Sequence, residues 1–321
     1  MYSISKYFNQ FDSLDFENCD NDHKVLKRIL NDFNKSLIEQ IDNSDNREHQ
    51  IHTALEEISY YSGSLSFMFL QNLSATAYLN KLAKESLCKL EEVRYNCGIA
   101  FAHLRNSKTF VKGLDNGENI ILTGNLPWAS GYMIFDYLLI GYHFNNQEYI
   151  SWCKFENSKS FQISDVMQTF VASSLNTVSI KLDNFVISKS NTISIENIGT
   201  FNNLLGDSSR MPSLITGIMK RGIDLISDKY VVEKDNFSVQ LMSIIENILN
   251  KNEIINTRKE SLKLSQMIIT FCAVSTGGKS VLINNSIQRL YRECLLFSLS
   301  GVSPNILESY SIDSINYKSS F

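Results

Sequence analysis

The residues that could do chemistry cluster in LTGNLPWASGY, 122–132. This stretch holds two glycines, one of the three prolines and one of the two tryptophans of the chain. Trp128 is held rigidly by its loop, with a hydroxyl two positions on at Ser130, which raises the question of what needs it there. The plainer alternative is a tight turn between strands, with Gly124 and Pro127 shaping it and Trp128 filling the core.

Other chemical candidates are weaker. STGGKS (275–280) approaches a phosphate-binding loop, but G-x-x-x-x-G-K-[ST] needs glycine where Ala273 stands, and the stretch follows a helical run rather than a strand. It reads instead as a helix C-terminus capped by Gly277 or Gly278. There is no G-x-S-x-G and no HExxH, so neither a hydrolytic elbow nor a zinc helix has an anchor. His49 and His52, and the acidic pairs Glu56–Glu57 and Glu91–Glu92, read as solvated helix faces. The six cysteines form no CxxC pair and read as buried, reduced thiols.

The elements that must position these residues follow from periodicity. Val25, Ile29, Phe33, Leu37 and Ile41 recur at helical spacing, as do Leu55, Ile58, Tyr61, Leu65 and Phe69, with IDNSDNREHQ (41–50) as the loop between two helices. Tyr78, Leu82 and Leu90 continue the helical pattern. From about Thr109 the period changes to short runs rich in Ile, Tyr, Phe and Val. In Val178, Ile180 and Leu182, alternating with Ser179, Lys181 and Asp183, the two-residue period is that of a half-exposed antiparallel strand. After ISIENIGTFNN (193–203) the helical period returns, with Ser213 as a candidate cap. The expected fold is α+β by segregation: an N-terminal helical domain (1–108), a middle antiparallel β domain (109–200) and a C-terminal helical bundle (201–321).

Composition bounds the partners. With 321 residues, 43% hydrophobic and 20% charged, the chain can bury a sizeable core. A net charge of −4 with scattered basic residues lacks the footprint of a nucleic-acid binder. No apolar run reaches a membrane span and the N-terminus has no secretory pattern, so a cytoplasmic protein is expected.

GNLPWASG (124–131) resembles the flavin-facing segment of the acyl-CoA dehydrogenase superfamily, where Gly-x-x-x-Trp-x-Ser/Thr begins the middle β domain. Three further stretches are similar to that family, in its order: HTALEEISYYSGSLSFMFLQNLSA (52–75), NCGIAFAHLRN (96–106) and STGGKSVLINNSIQRLYREC (275–294), the last with Arg289, Arg292 and Glu293 in an Arg-x-x-Arg-acid helix. The resemblance implies a bound FAD, with FMN possible. Trp128 would lie against its ring, Ser130 would hydrogen-bond it beside Ala129, and Phe101, Ala102 and His103 would give backbone contacts. Gly277 and Gly278 would approach the cofactor of a neighbouring subunit in a homodimer or homotetramer.

The sequence also departs from the family. Thr-Glu-Pro is absent before the β domain, the Arg-x-x-Phe-Gly helix is not recognisable, and the C-terminal half is short. Gly301 and Ser209 stand at the two positions where the family carries its catalytic glutamate, and Asp207 is the nearest carboxylate. Three functions are therefore expected in turn: a flavin-dependent oxidoreductase acting on an acyl thioester linked to CoA or a carrier protein, a reduced-flavin-dependent monooxygenase of the same fold, or a catalytically degenerate binding or scaffold subunit.

Overall fold

The computed structural model describes residues 4–11, 13–82, 90–105, 108–201, 210–283, 285–302 and 306–308. The N-terminal part is helical: α1 (Ile4–Phe8), α2 (Ser13–Asn21), α3 (His23–Asp42), α4 (Arg47–Tyr61), α5 (Gly63–Leu79) and the short α6 (Glu91–Tyr95). Starts are set by side-chain caps, each satisfying an amide that has no intrahelical partner. Asp22 accepts from Lys24, Asn46 from His49, and Ser62 from Leu65.

One sheet follows, built from β1 (Cys97–Ala100), β2 (Lys112–Asn116), β3 (Asn119–Ala129), β4 (Tyr137–Phe144), β5 (Gln147–Lys154), β6 (Phe161–Ile163), β7 (Val178–Ser188) and β8 (Thr192–Asn197). Its order is β6-β7-β3-β2-β4-β5-β8, with β1 added beside β4. Pairing is antiparallel except where β1 and β2 run parallel to β4. The sheet thus takes its first strand upstream of the change of period at Thr109. CGIA is too short to show a period of its own.

The chain closes with α7 (Arg210–Leu225), α8 (Val231–Leu249), α9 (Ile254–Thr276) and α10 (Ser286–Leu299). Helices from both ends of the chain share one core, in which Leu55, Ile58 and Phe69 meet Leu214, Ile218, Ile268 and Phe297. The sheet has a separate core around Leu122, Leu126, Ile140, Tyr142 and Ile180. The architecture is the α+β arrangement expected from the change of period.

Several local expectations are corrected. Ser213 does not cap α7, which begins at Arg210; its hydroxyl pairs with His52 Nδ1 at 2.9 Å instead. His52 and Glu56 are buried rather than solvated, because α4 is covered by α7 on that face, and Lys220 pairs with Glu56. Among the described residues, no single helix is long and apolar enough to cross a membrane.

Candidate functional site

A cavity of about 1050 Å³ opens where α5, the ends of β1 and β3, the loop 168–177 and the C-terminal helices converge. A space of that size suits a cofactor or a substrate-sized ligand. Its walls are mainly apolar, and every part of the chain contributes to them.

The β-sheet wall carries Trp128. Along β3 the alternation that buries Ile120, Leu122 and Leu126 would bury residue 128 next. Register shifts in the β3–β7 ladder, between Leu122 and Gly124 and between Leu126 and Ala129, break that alternation. Pro127, which cannot donate to a ladder, sits in the second irregularity. Trp128 is therefore turned out of the core, 52% exposed, onto the cavity wall, while Ala129 takes the buried position. The core-filling alternative for Trp128 is overturned, and the Ala129 side chain faces the sheet core rather than the cavity. Gly124 is required at the first irregularity: its φ is +145°, and a Cβ there would overlap the Phe110 carbonyl.

Next to Trp128, Ser130 and Thr177 face the cavity with their hydroxyls 2.9 Å apart. Ser130 is therefore not an isolated hydroxyl. In such a pair one O–H is consumed internally and the other can donate to a ligand. Thr177 follows Asn176, whose positive φ turns the loop back into β7. That loop is fixed from below by Asp20, which accepts from the Ala172 amide, and by Arg292, which donates to the Phe170 carbonyl.

Phe101 and Ala102 lie on the wall, Phe101 packed edge-on to Tyr78 and Phe201. His103, expected beside them, does not. The tight turn Ala102–Arg105 points its ring under the sheet, where Nε2 meets the Gly141 carbonyl at 2.7 Å. Burial lowers the His103 pKa to about 4, so the ring is neutral and a structural spacer. Gly277 and Gly278 are also off this cavity. Gly277 adopts φ +76° and caps α9 through its amide to Ala273, as the capping interpretation of STGGKS requires.

Gly301, at one expected glutamate position, lines the cavity. Ser209 and Asp207 lie outside the described residues; Phe201 and Arg210, which bracket their segment, both line the cavity. Among the described residues no Asp, Glu, His or Cys side chain lines it. The titratable groups there are Tyr78, whose pKa burial lifts to about 12, and five cations: Arg47, Lys81, Arg105, Arg210 and Arg258.

Sequence reasoning missed Tyr78, Arg105 and Thr177. For Tyr78 a signal existed. GSLSFMFLQNLSATAYL in α5 is apolar nearly all round, as a helix must be when one face meets the core and another a cavity. Nothing in the sequence marks Arg105 or Thr177, which reach the site through a turn and a strand start.

No family model matches the chain, and no curated protein matches it by sequence. Solved structures do. A chain from the electron transferring flavoprotein of Acidaminococcus fermentans superposes with a TM-score of 0.80 at 10% identity, over 97% of this chain and 95% of that one. Butyryl-CoA dehydrogenase from Megasphaera elsdenii gives 0.77 at 9% identity, over 97% and 94%. XiaF from Streptomyces sp., in complex with FADH2 and glycerol, gives 0.74 at 10%, over 95% and 92%. At such identities the likeness speaks for architecture, and by architecture this chain has the acyl-CoA dehydrogenase fold.

Proposed function

We propose that the protein is a flavin-dependent oxidoreductase that holds its flavin, FAD or FMN, against Trp128 and acts on an acyl thioester linked to CoA or to a carrier protein. The observation that carries this is the indole turned onto the cavity wall beside the Ser130–Thr177 hydroxyl pair. A flat ring with polar edge atoms fits that surface. Trp128 would cover one face and exclude water, and Ser130 or Thr177 would donate to a ring-edge atom. Phe101 and Ala102 would contact the ring from the turn after β1. A bound flavin supplies the hydride or electron acceptor, and the protein's share is this orientation and shielding. The apolar wall from Phe67, Leu70, Leu295 and Leu299 would receive the acyl chain.

Ordinary α,β-dehydrogenation also needs a base for the α-proton, without which the step loses a typical ~10²–10⁴-fold. Asp207 is the candidate, in the segment bracketed by two wall residues. The lack of a carboxylate among the described wall residues favours a second reading, a reduced-flavin-dependent monooxygenase, which requires no such base. The likeness to XiaF, with its bound FADH2, supports that reading at the level of the fold.

Absorbance of the purified protein, alone and with added FAD or FMN, tests the flavin. A protein that takes up neither would be a binding or scaffold subunit. With flavin bound, anaerobic mixing with acyl-CoA thioesters should bleach its band, and Asp207→Asn should abolish the bleaching. Bleaching that survives Asp207→Asn excludes that aspartate. No bleaching, with oxygenated product once reduced flavin and oxygen are supplied, selects the monooxygenase.

We also propose that the chain forms a homodimer or homotetramer. Val274, Val281, Leu282 and Ile283 are exposed around Gly277–Gly278, an apolar surface that a second copy would cover. Light scattering that reports a monomer at micromolar concentration would count against it.

A further inference from the structure

We propose that Arg105 is the anion-binding residue of the cavity, taking the oxyanion, phosphate or carboxylate, of a ligand that is otherwise aromatic or apolar. This rests on the cavity being the ligand site of the preceding section and deepens that reading by naming the charge its ligand carries.

Four of the five cations of the wall are already engaged. Arg47 Nε lies 3.2 Å from Asp42. Arg210 grips Glu48 with both terminal nitrogens, at 2.9 and 3.1 Å. Lys81 pairs with Glu196 at 3.4 Å. Arg258 is directed at main-chain oxygens, donating to the Gly301 carbonyl at 3.0 Å and that of Phe297 at 3.4 Å, where it ends α10. Arg105 differs from all four. No hydrogen bond or ion pair joins it to any described residue, and its Nε, like that of Arg258, is buried with no acceptor. Burial alone bears on its charge, lowering its pKa without any carboxylate to oppose the effect.

A guanidinium is too basic to escape burial by losing its proton, so it stays charged at neutral pH. Withdrawing such a charge from water without a counterion is costly. An oxyanion entering the cavity would restore the missing hydrogen bonds, and the planar fork of the guanidinium matches phosphate and carboxylate geometry. Among the described residues, the rest of the wall supplies no competing negative charge. Arg105 also stands at the end of the turn that carries Phe101 and Ala102, so its charge is built into the aromatic end of the site. The phosphate of a flavin nucleotide and the carboxylate of a fatty-acyl substrate share this chemistry.

The test compares wild type, Arg105→Met and Arg105→Lys by isothermal titration at fixed ionic strength with two ligand pairs: FMN against riboflavin, and decanoate against decanol. Arg105→Met is expected to weaken the anionic member of a pair by ~10- to 100-fold, the worth of charged hydrogen bonds, and to leave the neutral member unchanged. Arg105→Lys is expected to recover part of the loss. A loss confined to FMN assigns the flavin phosphate, and one confined to decanoate assigns the substrate carboxylate. The melting temperature of Arg105→Met should be unchanged or higher, since a partly buried charge without a counterion is removed. A lower one would make Arg105 structural and overturn the inference. Equal loss on both members of a pair, or none on either, also overturns it while leaving the cavity as a ligand site. Wild type that binds none of the four ligands overturns both readings.

Discussion

Two regions of this molecule draw arginine away from water, one wholly and one in part, and they do so in opposite ways. Beneath the loop 168–177, Arg289 lies 3.6 Å from Glu293 and donates to the Tyr61 carbonyl, while Arg292 reaches Asp20 at 3.3 Å. Glu293 in turn accepts the first amide of α5, from Gly63, and Asp20 accepts from Ser64. Burial lifts the Glu293 carboxyl above the ordinary range even with Arg289 beside it, so each member of the pair depends on the other. In the cavity, Arg105 has no such partner among the described residues and Trp128 stands half uncovered. The first arrangement joins α2, α5 and α10 and holds a loop. The second leaves polar and aromatic capacity unused inside a cavity, which suits it to a ligand.

The comparison breaks most sharply by substitution in the paired region. Arg289→Met should lower stability by about 3–5 kcal/mol in urea unfolding, because Glu293 is left buried without its cation. The loss should shrink when Glu293→Gln is added. A cost below about 1 kcal/mol would mean the two regions do not differ as described.

A pH titration examines the neutral ring of His103, buried under the sheet next to the turn that ends in Arg105. His103 titrates at about 4 when folded against 6.5 when free, so the unfolded chain binds more protons between those values. Stability is therefore full above about 6.5 and falls as the pH drops towards 4, by up to about 3 kcal/mol from this group. His52, whose pKa burial also lowers, adds in the same direction. His103→Gln should flatten that dependence without removing it, and an unchanged slope would show that His103 is solvated.

Smaller effects sharpen the cavity side. Trp128→Ala should cost less than about 2 kcal/mol, against the ~3–5 of a fully buried tryptophan, while flavin affinity falls at least tenfold. Thermal melts and flavin titration of one sample give both quantities. Ser130→Ala should cost about 1 kcal/mol, since Thr177 loses its partner but can turn to water in the cavity. Its flavin spectrum or potential should shift, and the same spectrum as wild type would assign the contact to Thr177.

Much of the fold was legible in the sequence because periodicity survives divergence: the stripes of α3 and α4, the alternation of β7 and the return of helices after residue 203 each follow from which face is buried. The candidate site was legible in part. LTGNLPWASGY announced itself through Gly124, Pro127 and Trp128, and NCGIAFAHLRN placed Phe101 and Ala102. His103 was misplaced because one tight turn sends adjacent side chains to opposite sides of a sheet edge. Glu56 and His52 look solvated in the sequence because a helix seen alone cannot reveal a second helix, α7, whose Ser213 meets His52 from 161 residues further along the chain.

The sequence alone thus determined the order of helical and β segments, the turn-forming glycine at 124 and the presence of an indole beside a hydroxyl, since these depend on local backbone sterics and short-range burial patterns. Whether the indole filled a core or faced a cavity was decided by the tertiary structure. A register shift of the β3–β7 ladder turns on long-range pairing, and only that pairing shows where the alternation breaks. The same holds for charge. Arg105 and Arg289 look alike as residues in a chain, and only the packed structure supplies a carboxylate to one and, among the described residues, none to the other.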